Sequence, residues 1–283
     1  MWQPDRHDLY ELCVQRPALL APWLRSLIAP APDAPVLHED FSGTAALCRR
    51  WLALDPASSA VAIDADADVL AHARRRLART PIAPARLRFV RADLADALPT
   101  DLPSADAIFA GNFSIGELPE RADLLAYFRA ARARLRAAPH SVLVCDTFAG
   151  AAAWRTGALV RTLVPALDGD PTFPAPKPPP GVRIHHTWEQ AASNPLTSRV
   201  VCRLHFRVEQ AGEITHEFPA AFEYHWRLWS PPEVRDALHE AGFRRTAAIT
   251  DLLPSHEVFS AHAAEPCPAN PDGFLAVLIV ARP

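Results

Sequence analysis

Lysine is almost missing from this sequence, since Lys177 is the only one among 283 residues. No GxxxxGK[ST] motif exists, so the chain has no Walker phosphate-binding loop, and Schiff-base chemistry has little scope. The GxGxxG fingerprint of dinucleotide-binding proteins is missing as well. Two large classes of nucleotide-binding enzyme are therefore disfavoured.

The cysteines are few, odd in number and widely separated. They are Cys13, Cys48, Cys145, Cys202 and Cys267. No two of them form a CxxC pair, so neither a zinc ribbon nor a disulfide framework is indicated. We expect buried, reduced thiols in a cytoplasmic protein. The histidines and acidic residues show no metal-ligand spacing either, so no metal site is predicted.

Long apolar runs and excess positive charge are also lacking. No stretch approaches 18 uninterrupted apolar residues, and we do not expect the opening MWQPDRHDLYELC to be a signal peptide. The formal net charge is −3, so no basic surface attracts nucleic acid or an anionic membrane. We therefore expect a small-molecule ligand, no nucleic acid, no membrane, and a monomer or homodimer.

What the first half of the chain does contain is a regular alternation of strand and helix patterns. Apolar runs predict strands over 36–39, 59–64, 87–93, 106–113 and 141–147. Helical spacing of apolar residues predicts helices over 45–54, 68–80 and 120–136, with Asp68 as the N-cap of the second. This alternation is typical of an α/β protein with a Rossmann-like, doubly wound, mostly parallel sheet.

The pattern changes after the fifth strand. A proline-dense segment, 165–181, predicts a loop or tether. Strict alternation of apolar and polar residues then predicts antiparallel strands over 200–208 and 222–229, joined by a turn at 210–213. A helix over 233–241, ended by Gly242, precedes two strands at 246–252 and 274–281 that complete a seven-stranded sheet.

These patterns divide the chain into three parts. Residues 1–30 are expected to form an N-terminal cap segment, and residues 31–150 together with 230–283 the Rossmann-like domain. Residues 151–229 form an antiparallel β insertion after the fifth strand. Because a strand of such a sheet ends at the ligand-binding edge, we expect the insertion to roof the site and residues 10–16 to close over it as a lid.

Polar residues follow each of the first four strands, namely Glu39 and Asp40, Asp64, Asp93, and Asn112. Ligands of such sheets bind beyond the carboxyl ends of the strands. A carboxylate after the second strand accepts ribose hydroxyls. One after the third strand can accept the adenine amine, with Ile63 and Leu94 covering the ring. Gly43 lets the backbone approach the ligand closely.

The turn HEDFSGTA, residues 38–45, indicates which class of ligand binds at this edge of the sheet. A diphosphate requires glycines and a helix N-terminus free of negative charge. Glu39 and Asp40 would repel it, and Phe41 and Ala45 stand where GxGxxG needs glycine. An acidic, glycine-poor turn suits a ligand with a cationic end, and S-adenosylmethionine combines such an end with an adenosine.

The sequence resembles class I S-adenosylmethionine-dependent methyltransferases over residues 36–283. The resemblance lies in VLHEDFSGTA, AVAIDADADVL, RADL, GNFSIGEL and SPPEVRDALHEAGF. More narrowly, it is similar to a bacterial branch that joins a YELCVQRP-like segment, EDFSGTA and YHWRLWSPPEV. The predicted contacts to S-adenosylmethionine are Tyr10, Glu39, Phe41, Gly43, Thr44, Asp64, Ala65, Asp93, Leu94, Asn112 and Phe113. Phe41 and Ala45 depart from the family's usual glycines.

Catalytic candidates come mainly from the insertion. They are His225, Tyr224, Arg227 and His186, with His185 and Asp146 as further possible bases. Methyl transfer from a sulfonium is an in-line displacement, so a base is needed only if the acceptor arrives protonated. Strand alternation directs either Tyr224 and Trp226 or His225 and Arg227 toward the ligand. The first pair predicts an apolar or aromatic acceptor, and the second an acidic one.

Two other functions stay open at this point. A nicotinamide-dependent reductase would use the same kind of sheet, but GxGxxG and a catalytic lysine in the sheet region are missing. A non-catalytic module would keep the nucleoside pocket and act as a sensor or scaffold. The strand-end acids and the acidic turn favour methyl transfer over both.

Overall fold

The protein contains two separate β-sheets. The computed structural model describes residues 2–30, 32–164, 178–259 and 273–283. The strands are β1 (Val36–Asp40), β2 (Ser59–Asp64), β3 (Leu87–Arg91), β4 (Ala107–Ala110), β5 (Val142–Ala149), β6 (Gly157–Leu163), β7 (Val182–Asn194), β8 (Arg199–Gln210), β9 (Glu213–Arg227), β10 (Arg245–Ile249) and β11 (Leu275–Arg282). The larger sheet has the order β3-β2-β1-β4-β5-β11-β10, and the smaller one the order β6-β7-β8-β9.

The larger sheet is parallel apart from β11, which runs antiparallel to both β5 and β10. Its order reverses between β1 and β4, so the carboxyl ends of these two strands flank the topological switch point. Ligands of open α/β sheets bind in the crevice at such a point. The predicted fold class, a Rossmann-like, mostly parallel seven-stranded sheet with an antiparallel insertion, is confirmed.

Helices cover both faces of the larger sheet. They are α2 (Pro17–Leu27), α3 (Ala46–Leu54), α4 (Ala67–Leu77), α5 (Arg121–Arg134) and α6 (Pro231–Glu240), whereas α1 (Arg6–Cys13) packs against the smaller sheet. Phe128 of α5 and Leu238 of α6 belong to the core on one face. Trp51 of α3 and Leu24 of α2 belong to the core on the other. The helices thus form two layers around the sheet, as the apolar stripe of each helix requires.

The smaller sheet, β6 to β9, follows β5 as an antiparallel excursion. Along β8 every second side chain is buried, from Val200 to Val208, because the alternation presents one apolar face to a core. Neither β6 nor β7 was among the predicted strands. β6 is exposed on both faces, so its sequence carries no alternation, and polar residues interrupt the alternation of β7.

Two local predictions were wrong. The fourth strand ends at Ala110, not 113, because Asn112 and Phe113 have φ values of 59° and 64°. The left-handed conformation cannot continue a strand. Helix α4 is capped by Asp66, whose carboxylate accepts the N–H groups of Asp68 and Val69, so Asp68 lies in the first turn and is not the N-cap.

The N-terminal helix α1 packs against helix α3 and against the smaller sheet. Its Glu11 forms an ion pair with Arg49 of α3 at 2.7 Å, and both side chains are buried. Its Leu9 packs in a cluster with Ile184 and Phe206 of the smaller sheet. The helix therefore lies between the layer of α3 and the insertion.

The predicted proline-rich tether, 165–181, falls largely outside the described residues, which stop at 164 and resume at 178. Lys177 and Cys267 also lie outside them. Across the part of the chain that the structure describes, none of the helices combines the length and apolar character needed to span a membrane.

Candidate functional site

The turn after β1 contains three residues in the left-handed backbone conformation that glycine favours, although only one of them is glycine. Phe41, Gly43 and Ala45 have φ values of 52°, 51° and 55°. A left-handed conformation costs a residue with a Cβ about 1–2 kcal/mol. Phe41 and Ala45 therefore adopt a conformation that is easy for glycine, and the cost is local strain at both residues.

Asp64, at the end of β2, accepts hydrogen bonds both from the turn after β1 and from the turn after β2. Its Oδ2 accepts the N–H of Gly43 at 2.7 Å, and its Oδ1 accepts the N–H of Asp66 at 2.9 Å. Burial raises the pKa of Asp64 although these hydrogen bonds oppose the shift. The carboxylate thus lies against Gly43, at the edge where the sequence places the ribose.

The side chain of Glu39, at the end of β1, caps the N-terminus of α3. Ala45 occupies the N-cap position and has no side chain that could accept a hydrogen bond. The Glu39 carboxylate instead accepts the N–H of Cys48 at 2.8 Å. Burial raises the pKa of Glu39 to about 7.

Asp40 is not part of the site. Its two oxygens accept bidentate hydrogen bonds from Arg134 at 2.9 and 2.6 Å, and Tyr127 donates a third at 2.9 Å. Asp40 is buried, so Arg134 neutralises its charge inside the protein. Of the two acids thought to repel a diphosphate, only Glu39 lines the pocket described below.

The turn after β4 is organised by Asp146 of β5. Its carboxylate accepts the N–H of Asn112 at 3.0 Å and that of Phe113 at 2.6 Å, the two residues with positive φ. Burial raises the pKa of Asp146 to about 7. Both oxygens are engaged with the backbone, so the carboxylate fixes the turn that carries Asn112.

Tyr10 of α1 lies above these strand ends. Its ring lies 5.1 Å from the ring of Phe222, in a cluster that also contains Tyr224. Burial raises the pKa of Tyr10. Three carboxylates raise it further, those of Asp146, Asp64 and Glu39. The charges of these three carboxylates therefore act on the Tyr10 hydroxyl.

A pocket with an empty volume of about 230 Å³ opens between the N-terminal segment and the strand ends. Its lining consists of Gln15, Arg16, Pro17, Leu20, Glu39, Leu47, Phe109 and Asn112. Gln15 also accepts a hydrogen bond from the Thr44 hydroxyl at 2.9 Å. Gln15 and Arg16 belong to segment 10–16, which was predicted to lie over the site, although neither was named as a contact residue. The pocket carries one guanidinium and one carboxylate.

The end of β3 is more open. Asp93 is exposed, and its carboxylate accepts the N–H of Ala95 at 2.9 Å. Leu94 is buried, and Ala65 after β2 is exposed. Asp93 and Ala65 are thus reachable from solvent at this end of the crevice.

Of the two alternating faces of β9, the one with Tyr224 and Trp226 is turned inward. Trp226 is buried against Phe113, with ring centroids 6.2 Å apart, and stacks on Tyr224 at 4.4 Å. His225 is on the outer face, with a side chain 71% exposed and 2.9 Å from Glu223.

The remaining acceptor candidates are spread over the insertion. Arg227 lies 3.7 Å above the ring of Trp229 and donates to the Pro119 carbonyl. His185 contacts Glu209 at 2.8 Å. His186 is buried beside Phe206, and burial lowers its pKa to about 4, so it is neutral at physiological pH.

A cluster that the sequence did not predict lies at the start of α1. Asp5, Asp8 and His72 each place one potential metal-ligand atom within 4.8 Å of the others. His72 Nδ1 lies 3.2 Å from Asp5 Oδ2, and Asp5 also caps α1 by accepting the N–H groups of His7 and Asp8. These contacts attach α1 to α4.

Comparisons with known proteins agree with this geometry. A family model described as a methyltransferase domain matches residues 41–137. DesVI of Streptomyces venezuelae has a TM-score of 0.68 at 17% identity, with all of both chains covered. An S-adenosylmethionine-dependent methyltransferase from Clostridium acetobutylicum has a TM-score of 0.65 at 13% identity, covering 97% of each chain.

A third similar structure is CalS10 of Micromonospora echinaspora, an amino pentose methyltransferase solved with S-adenosylmethionine bound. Its TM-score is 0.62 at 16% identity, covering 100% of this chain and 98% of that one. No curated protein sequence matches this chain. The narrower bacterial branch suggested by EDFSGTA and YHWRLW stays a prediction. Residues 41–137 thus match a family model of a methyltransferase domain, and the fold of the whole chain is similar to that of solved S-adenosylmethionine-dependent methyltransferases.

Proposed function

We propose that this protein is an S-adenosylmethionine-dependent methyltransferase that acts on a small-molecule acceptor. The observation that carries the proposal is the pocket at the ends of β1 and β4, which presents Arg16 and Glu39. An α-amino acid has a carboxylate and an ammonium on one carbon. A guanidinium and a carboxylate in one pocket complement that pair, and a diphosphate would gain nothing from Glu39.

The chain's other strand-end residues fit the nucleoside half of the same ligand. Asp64 lies against Gly43 at 2.7 Å, and we assign it to the ribose hydroxyls. Asp93 is exposed beside the buried Leu94, and we assign this pair to the adenine amine and ring. When bound, S-adenosylmethionine supplies a methyl group on a positively charged sulfur.

The residues around the methyl position are assigned to orienting the acceptor and excluding water. Phe113 and Trp226 form an aromatic wall, and Tyr224 stacks on it. Tyr10 closes the opposite side through its packing in the same cluster as Tyr224. A wall of this kind suits an apolar or aromatic surface of the acceptor. Removing water also strengthens the electrostatic contacts inside the site.

Asp146 is assigned to a structural task in this reaction. Its oxygens already accept the N–H groups of Asn112 and Phe113, so it positions the turn that faces the methyl group. With Asp146 engaged and His225 on the outer face, we propose that the acceptor reacts as a neutral nucleophile without a dedicated base.

We propose further that the N-terminal segment opens to admit the cofactor. Even with the open solvent at its mouth counted, the pocket volume of about 230 Å³ is below the roughly 300–1,000 Å³ of typical ligand sites. Gln15 and Arg16, from the segment between α1 and α2, line its outer side. Residues 1–30 would thus act as a cap, 31–150 with 230–283 as the cofactor domain, and 151–229 as the acceptor-side subdomain.

Two measurements test the proposed function. Titration calorimetry should show that the protein binds S-adenosylmethionine and S-adenosylhomocysteine but not NADH. Incubation with methyl-labelled S-adenosylmethionine and a fractionated metabolite extract should then transfer label to a small molecule. Binding without transfer to any fraction would favour a nucleoside sensor, and binding of NADH alone would favour a reductase.

A further inference from the structure

Two carboxylates and one imidazole meet where the N-terminal helix α1 lies against α4. Asp5 and Asp8 are three residues apart at the start of α1, so they lie on the same side of its first turn. His72 reaches them from α4. Its Nδ1 lies 3.2 Å from Asp5 Oδ2, and its Nε2 lies 3.8 Å from Asp8 Oδ1. One potential ligand atom of each residue is therefore within 4.8 Å of the other two.

The backbone of α1 holds one oxygen of each carboxylate and leaves the other oxygen to His72. Asp5 Oδ1 accepts the N–H groups of His7 and Asp8, at 2.9 Å each. Asp8 Oδ2 accepts the N–H of Asp5 at 3.3 Å. Hydrogen bonds of this kind orient the carboxylates of metal sites, because they fix the ligand oxygens before the ion binds.

His72 is an independent indication that a cation belongs in this cluster. Its side chain is only 5% exposed, and its Nε2 has no hydrogen-bond partner among the residues that the structure describes. A neutral imidazole that donates from Nδ1 to Asp5 presents the lone pair of Nε2 to the Asp8 carboxylate. Two acceptors that face each other in this way repel, and a metal ion that both of them coordinate removes the repulsion.

The charges of the cluster favour a divalent ion. The ionised carboxylates of Asp5 and Asp8 carry two negative charges, and the imidazole of His72 supplies at most one positive charge. Arg76, further along α4, reaches Glu11 at 3.9 Å. A divalent ion would balance both aspartates at once.

The ligand types favour a transition metal over calcium or magnesium. Imidazole nitrogen suits Zn²⁺ and related ions, whereas Ca²⁺ and Mg²⁺ prefer oxygen ligands. Three protein ligands leave room for water in the coordination shell. The Asp5 side chain is 51% exposed, so an ion can enter from solvent.

We propose that Asp5, Asp8 and His72 form a binding site for a divalent transition-metal ion such as Zn²⁺, with water as the remaining ligand. The ion holds α1 against α4. Because Leu9 of α1 also packs against the smaller sheet, the ion stabilises the N-terminal segment in its packed position. None of these ligands belongs to the residues assigned to S-adenosylmethionine, so the site does not depend on the proposed methyl transfer. No sequence pattern marked it, because His72 is distant along the chain from both aspartates.

The test is a calorimetric titration of the full-length protein with ZnCl₂ after metal has been removed by a chelator. Asp8→Asn and His72→Gln should each weaken Zn²⁺ binding by about tenfold or more. Asparagine can still accept the Asp5 N–H, so Asp8→Asn keeps the fold even if His72→Gln does not. His225→Gln is the matched control, because His225 is an exposed imidazole 2.9 Å from Glu223, and it should leave the affinity unchanged.

A second measurement reports whether the ion stabilises the fold. Zn²⁺ should raise the melting temperature of the wild type and of His225→Gln, but not that of Asp8→Asn. Wild-type protein that does not bind Zn²⁺ would overturn the proposal and leave an ion pair with a protonated His72. Unchanged affinity in folded Asp8→Asn, or an equal loss in His225→Gln, would also overturn it, because the binding would then belong to other surface groups.

Discussion

Replacing Asp64 by alanine tests the ribose assignment most directly. The carboxylate accepts two backbone N–H groups, at 2.7 Å from Gly43 and 2.9 Å from Asp66, and in the proposed complex it also accepts ribose hydroxyls. A hydrogen bond to a charged group contributes roughly 1.5–3 kcal/mol. Asp64→Ala should therefore weaken S-adenosylhomocysteine binding by about tenfold to a hundredfold, measured by titration calorimetry.

The control for this variant is Asp66→Ala. Asp66 is the N-cap of α4, so its loss should cost about 1 kcal/mol of stability, measured by urea unfolding. Asp64→Ala also loses stability, because the Gly43 N–H loses its acceptor. If folded Asp64→Ala binds normally, or if Asp66→Ala loses as much affinity, the ribose assignment is wrong.

Three further variants or conditions probe other features. Ala45→Gly should raise the free energy of unfolding by about 1 kcal/mol, because it relieves a left-handed alanine with φ 55°; thermal melting checks this. Burial raises the pKa of Glu39 from 4.5 to about 7, and in the proposed complex the ionised form binds the ligand's ammonium. Calorimetric affinity for S-adenosylhomocysteine should thus rise between pH 5.5 and 7, and Glu39→Gln should remove this rise. Glu11→Ala leaves Arg49 without its buried carboxylate and should cost about 3–5 kcal/mol in urea unfolding.

Matched controls define how these three would fail. Ala46→Gly, at the start of α3, should lower stability, so a similar loss in Ala45→Gly would contradict the strain argument. Asp146 also titrates near pH 7, and Asp146→Asn should keep the pH dependence if Glu39 causes it. Asp101→Ala removes an exposed partner of Arg88 and should leave stability unchanged. A Glu11 variant as stable as this control would show that the buried pair is dispensable.

The larger sheet could be predicted because its strands and helices carry regular periodicities. Apolar runs such as 59–64 matched β2 to the residue. In the smaller sheet only β8 and the second half of β9 were predicted, because apolar and polar residues alternate along these two segments. At its edge, β6 is exposed along its length, so neither face selects apolar side chains.

In the candidate site, too, some residues could be predicted from the sequence and others could not. Glu39 and Asp64 could be named from the sequence because strand ends of one sheet must meet at one edge. Arg16 could be placed only within segment 10–16, which was predicted to cover the site, since its own position depends on how that segment packs against the strand ends. Asp40 was misjudged for the same reason, because its partner Arg134 lies 94 residues further on.

The position of α1 has a consequence for how the chain folds. Arg6 donates to the carbonyl of Ala221, 215 residues later, and Leu9 is buried against strands of the insertion. During synthesis the first helix therefore emerges long before the surface that covers it. Contacts of such long sequence separation form late and slow folding. Until residues 182–227 are made, the apolar side of α1 has no partner, and the nascent chain exposes it to chaperones and to aggregation.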